Sequence, residues 1–96
     1  MHIKDFQKEV NEIILKKQSG EVIFLHIVEE IGEIAKQFTN KHLGRENFDL
    51  KNLEEEISDS IILLVYLASV YNIDLEDSLL RDLKKIKKYS TKGKGP

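Results

Sequence analysis

Proline is absent from this chain until Pro96, and that absence narrows what it can fold into. No position before the last residue forces a helix to break. Glycine, the next strongest interruption, stands only at positions 20, 32, 44, 93 and 95. Between these marks apolar residues recur at three- and four-residue steps, the period of helices with one buried face. A first helix is predicted from about Ile3 to Gln18, with Phe6, Val10, Ile13 and Ile14 on its stripe and Ser19-Gly20 as its stop. A second runs from about Glu21 to His42, lined by Phe24, Ile27, Val28, Ile31, Ile34, Ala35 and Phe38 and ended by Gly44. Gly32 inside it costs about 1 kcal/mol relative to Ala and would suit a close helix approach. Asp49 is placed to cap a third helix reaching about Tyr71. After the turn Asn72-Ile73-Asp74, Asp74 caps a fourth, with Leu75, Leu79, Leu80, Leu83 and Ile86 on its inner side.

The fold class is therefore all-α. Only Val22 to Val28 is β-branched enough to compete with a helix, and there is no repeat and no strand pattern. Short loops favour antiparallel neighbours, which gives a small antiparallel bundle of about four helices. A 96-residue chain buries a smaller share of its surface than a long one, and with no Cys it has no disulfides to compensate. A metal or a partner subunit remains. The third helix is apolar nearly all round from Ile61 to Ala68, so it needs cover on every side. One side is expected to be covered by another copy, in a homodimer or homotetramer.

The start, Met1-His2-Ile3-Lys4-Asp5, leads into a mixed polar segment unlike a signal peptide. The longest apolar run, Ile61 to Ala68, falls far short of the ~20 residues that span a bilayer. A cytoplasmic protein without a membrane partner is expected. Residues 90–96 read as a flexible basic tail. The net charge of −2 and the lack of aromatics among the basic residues argue against a nucleic-acid polymer as partner.

Charge is unevenly spread. Nine acidic residues lie between Glu29 and Asp59, and seven basic ones between Arg81 and Lys94. On the second helix, at about 100° per residue, Glu29, Glu30 and Glu33 share one arc beside the apolar stripe. Glu30 and Glu33, three apart, can reach one point in space. On the third helix Glu56 and Asp59 are also three apart, on a strip that turns apolar at Leu63, Tyr66, Leu67 and Val70. Carboxylates on an inward strip repel one another unless they are protonated or bridged by cations. Glu-x-x-Glu facing Glu-x-x-Asp on an antiparallel neighbour makes an all-oxygen site suited to Mg²⁺, with Mn²⁺ as substitute. Taken alone, Glu-x-x-Glu is most often a surface salt-bridge pattern; the second pair ahead of an apolar run is what favours metal. His26 is a polar neighbour, and His2 and His42 are surface residues. Tyr66, Tyr71, Phe24 and Phe38 are expected in the core. There is no P-loop, no Ser/His/Asp triad and no Glu-x-x-His pair of the di-iron kind.

The stretch from Phe24 to Lys36, with Glu29-Glu30-x-x-Glu33, resembles the first motif of MazG-type nucleotide pyrophosphohydrolases of the all-α NTP pyrophosphatase superfamily. Leu53 to Val65, with Glu56-x-x-Asp59 ahead of an apolar helix, resembles the second. Asn72-Ile73-Asp74-Leu75-Glu76-Asp77 is similar to that family's link into its last helix. The resemblance spans about Val22 to Tyr89 and implies a domain over 1–89. It implies Mg²⁺-dependent hydrolysis of (d)NTP to (d)NMP and pyrophosphate, with water attacking the α-phosphorus in a dimer or tetramer. Glu30, Glu33, Glu56 and Asp59 would be the metal ligands. Glu29 and Glu30 would be catalytic, Glu29 as a second-metal ligand or as the group orienting water. Arg81, Lys84, Lys85 and Lys88 occupy the family's phosphate-contacting stretch, with Lys85 where Asn is usual and Lys88 where Arg is common. Two other functions suit the same residues: a phosphoribosyl-nucleotide pyrophosphohydrolase, or a helical interaction module with a non-catalytic carboxylate cluster.

Overall fold

The computed structural model describes residues 2–13, 18–44 and 48–93, with the backbone alone at 13 and 91–93. Four helices follow in order: α1 (Ile3–Ile13), α2 (Gly20–His42), α3 (Leu50–Val70) and α4 (Leu75–Gly93). There is no strand among the described residues. The β-branched stretch 22–28 is helical throughout. The β-branched helix penalty is a few tenths of a kcal/mol per residue, far less than burying Ile23 and Ile27 returns. Any continuation of α1 past Ile13, including Ile14, lies outside the described residues. The end of α4 differs from expectation. The helix runs through Ser90 to Gly93 because nothing between Tyr89 and Gly93 breaks it, so the helix takes in the start of the expected tail.

The helix ends follow local chemistry. Ser19 caps α2 by accepting from the Val22 N–H, and Asp49 caps α3 by accepting from the Lys51 and Asn52 N–H groups. Asp74 accepts from the Asp77 N–H at 3.2 Å. Gly44, at φ +73°, takes the left-handed conformation just past α2. Asn72 does the same after α3, at φ +56°. There the Ile73 N–H donates to the Ala68 carbonyl at 2.9 Å and the Asn72 N–H to that of Ser69 at 3.1 Å. This pair of bonds is a Schellman motif.

The core gathers Val10, Ile23, Ile27, Val65 and Tyr66, with Phe6, Ile62, Leu63, Leu67 and Leu75 packed around them. The main packed pair is α2 with α3, and α1 lies against both α3 and α4. Gln7 of α1 fastens the α3–α4 turn. Its amide donates to Ser69 Oγ (3.1 Å) and the Ile73 carbonyl (2.9 Å), and its oxygen accepts from the Leu75 N–H (3.1 Å).

The chain bends by 111° between α3 and α4, short of the reversal an antiparallel pair requires. As a result α4 stands out from the rest. The radius of gyration is 16.6 Å, against about 13 Å for a compact chain of this length. Of the residues expected on the inner side of α4, only Leu75 packs on the core; Leu79, Leu80, Leu83 and Ile86 are exposed in the single chain. Among the described residues no single helix is long and apolar enough to cross a membrane.

The buried line of α2 is also narrower than its sequence implies. Phe24, Val28, Ile31, Ala35 and Phe38 are exposed, and the line runs Ile23, Ile27, Glu30, Ile34, Gln37. A wide apolar stripe shows period but not centre; the neighbour decides which residues face in. Tyr66 is buried as expected, whereas Tyr71 is exposed. Gly32 is exposed, with nothing within 4 Å of where a Cβ would stand, so it serves no close helix approach.

Candidate active site

The packed lines of α2 and α3 share a 3-4 alternation. On α2 it is Ile23, Ile27, Glu30, Ile34, Gln37; on α3 it is Leu53, Glu56, Ser60, Leu63, Leu67. Each line would read as an apolar seam were it not for two polar residues. Glu30 and Glu56 are both partly buried within these lines, so they are not merely beside the core. Glu33 and Asp59 stand on the exposed flank of the same helices, as does Glu29.

The electrostatics tie these residues together. The Glu30 proton is held above the ordinary value of 4.5, first by burial and then by the charges of Asp59, Glu56, Glu33 and Glu29. Two carboxylates from α3 and two from α2 thus act on one side chain. Like charges near a partly buried carboxyl disfavour its ionised form, which is the direction seen. Glu29 also meets His26, whose Nδ1 lies 3.2 Å from Glu29 Oε1 on the exposed surface.

Among the described residues, no three His, Asp or Glu side chains close to the spacing of a metal shell. Four carboxylates act on Glu30, but the set does not form a cage. Their chemistry nonetheless fits a hard divalent ion. The donors are all carboxylate oxygens, they come from two packed helices, and the like charges acting on Glu30 are what a cation would relieve.

The basic residues expected to meet phosphate are arranged differently. Arg81, Lys84, Lys85 and Lys88 are exposed along α4, and α4 packs on α1. Arg81 Nε is engaged by Asp77 Oδ2 at 3.1 Å. None of the four is among the main influences on Glu30. The fold thus sets these carboxylates within electrostatic reach of Glu30 but does not bring this cationic stretch to them.

One buried polar residue was not singled out by the sequence. Gln37 is 5% exposed. Its amide donates to Glu56 Oε1 at 2.6 Å, and its oxygen accepts from the Asp49 N–H at 3.2 Å. Its position fourteen residues after Ile23 on the seam is a signal only once the centre of the seam is known. Beyond it, Phe38 and Phe48 form a tilted aromatic pair with centroids 5.5 Å apart, and Lys41 Nζ sits 4.5 Å over the Phe48 ring.

Comparison with known proteins finds a family for most of the chain. Residues 18–92 match the MazG nucleotide pyrophosphohydrolase domain. That span contains all of α2, α3 and the carboxylates on them. The chain is also similar to a protein of Bacillus subtilis (strain 168) named uncharacterized protein YpjD. The two are 31% identical over an alignment of 83 positions that covers 79% of this chain and 75% of that protein. No solved structure matches the chain.

Proposed function

The chain belongs to the MazG nucleotide pyrophosphohydrolase domain family, and on that premise we propose that it hydrolyses nucleoside triphosphates, deoxy forms included, to the monophosphate and pyrophosphate. The observation that carries this reading is Glu30: a carboxylate in the packed α2–α3 seam whose proton is held by burial and then by the charges of Asp59, Glu56, Glu33 and Glu29. A glutamate in that position weakens packing, and the four like charges acting on it add to the cost unless a cation bridges them.

Glu30, Glu33, Glu56 and Asp59 would hold Mg²⁺, or Mn²⁺ in its place. The bound ion supplies Lewis acidity toward phosphate oxygens and makes water a better nucleophile near neutral pH. Glu29, on the exposed flank beside His26, would orient the attacking water or serve as a ligand to a second ion. Water would add at the α-phosphorus as the bridging bond to the β-phosphate breaks; its proton would pass to solvent, and pyrophosphate would leave with the bridging oxygen. Arg81, Lys84, Lys85 and Lys88 balance the phosphate charge. Since α4 stands away from the carboxylates, this role is best served by α4 of a second copy. The exposed apolar face of α3 and α4 supports a homo-oligomer in the same way: Ile61, Leu64, Leu80, Leu83 and Ile86 would lie bare in a monomer.

The test is product analysis. The purified chain is incubated with each common NTP and dNTP, with Mg²⁺, with Mn²⁺ and with EDTA. Monophosphate plus pyrophosphate, only with metal, is expected. Release of orthophosphate would mean that another bond is cut. No turnover, together with no metal-dependent rise in melting temperature, would favour an interaction module instead.

A further inference from the structure

We propose that Gln37 is a positioning residue for the carboxylate cluster, holding Glu56 in the orientation in which it serves as a ligand. The inference rests on the reading of Glu56 as a metal ligand and extends it to a residue outside both carboxylate motifs.

The geometry leaves Gln37 little choice. It is 5% exposed, so its amide must be satisfied within the protein. The Asp49 N–H can only donate, so the Gln37 oxygen faces Asp49. The Gln37 NH₂ is thereby turned toward Glu56, where it meets Oε1 at 2.6 Å. A carboxylate that accepts a short hydrogen bond on one oxygen loses rotational freedom, and its remaining lone pairs take a defined direction.

The same amide links three pieces of the site. Gln37 lies four residues after Glu33 on α2, Asp49 is the N-cap of α3, and Glu56 sits two turns further along α3. Asp49 in turn holds the first turn of α3 through the Lys51 and Asn52 N–H groups. One side chain therefore fixes the start of α3 and aims its first inward carboxylate. Nothing else described on α2 donates to Glu56. Groups that orient ligands in this way typically carry 10- to 100-fold in metal affinity.

The experiment measures Mn²⁺ binding by calorimetry, and thermal melting in EDTA, on the wild-type chain, Gln37→Met, Gln37→Asn and Glu56→Gln. Met keeps the length but neither donates nor accepts; Asn keeps the amide but is too short to span both partners. Each variant is checked for wild-type helix content by circular dichroism, and the Asn variant stands in if the Met variant does not fold. The expected result is Mn²⁺ binding weakened about 10-fold or more in the folded Gln37 variant. A glutamine that merely supports the fold would lower the melting temperature in EDTA and leave Mn²⁺ affinity unchanged. That result, beside lost affinity in Glu56→Gln, overturns the inference alone. Wild-type affinity in Glu56→Gln, or no Mn²⁺ binding by the wild-type chain, overturns the carboxylate reading and this inference with it.

Discussion

Replacing Glu30 with Gln should make the metal-free protein more stable while removing its response to metal. Glu30 occupies a seam position between Ile27 and Ile34, and four carboxylates act on it. Screened like-charge pairs at partly exposed sites are worth a few tenths of a kcal/mol each. Four of them give a gain of about 1 kcal/mol for the neutral isostere, or about 4–8 °C in melting temperature for a domain of this size. The pH dependence has a defined sign. A carboxyl whose folded value is raised contributes stability below its ordinary value of 4.5, and that contribution is lost as pH rises through the folded value. The two proteins should therefore melt together near pH 4 and separate as the pH rises, with Glu30→Gln the more stable at pH 7 in EDTA. Added Mg²⁺ or Mn²⁺ should raise the wild-type melting temperature and leave that of Glu30→Gln nearly unchanged. Melts from pH 4 to 8, with EDTA and with metal, test both halves. If Glu30→Gln is less stable than wild type in EDTA at pH 7, or its advantage does not depend on pH, the account of Glu30 is wrong.

Three further perturbations probe the frame around the site. Gln7→Met removes three neutral hydrogen bonds from the α3–α4 turn; at about 0.5–1.5 kcal/mol each, less for exposure, the loss should be about 2 kcal/mol in urea denaturation, and a loss under about 0.5 would show that Gln7 does not fasten α4. Gly32→Ala meets open space and should stabilise the chain by about 1 kcal/mol, read as a higher melting temperature; an unchanged or lower value would contradict the open geometry at that position. Asp74 is held below its ordinary 3.8, chiefly by the Asp77 N–H and then by Lys4. Its contribution is present above 3.8 and lost as pH falls through the lower folded value. Asp74→Asn can still cap α4, so it should shrink the difference in melting temperature between pH 7 and pH 3; an unaltered difference would mean that Asp74 has no part in acid sensitivity.

The features legible in the sequence are those written locally. Asp49 and Asp74 cap α3 and α4 because a short acceptor before an apolar-periodic run can do little else there. The Glu30/Glu33 and Glu56/Asp59 spacings put carboxylates on the packed helices α2 and α3, though only Glu30 and Glu56 turn into the seam while Glu33 and Asp59 stay exposed. Features set by a neighbour were not legible. Phe24, Val28, Ile31 and Phe38 have the same helical period as Ile23 and Ile27, and only the approach of α3 selects the buried line. Gln37 carries no mark of its own, since its value comes from meeting Glu56 nineteen residues on. The position of α4 depends on a Schellman turn at Asn72 and on Gln7 far away in sequence, so the four-residue link gave no sign of a 111° bend.

The pairing of Gln37 with Glu56 also bears on how the two long helices align lengthwise. The seams of α2 and α3 both repeat every seven residues. If α3 slid by one repeat, isoleucines would still meet leucines, and apolar contact alone would barely distinguish the two alignments. The polar positions break that degeneracy. A slid pair would strand the Gln37 amide among aliphatic side chains and leave Glu56 without its donor, a penalty of about 1–3 kcal/mol for each unsatisfied group. Residues that weaken the packing of this small domain thereby act as a ruler, letting the chain settle in one alignment out of several that its hydrophobic pattern allows.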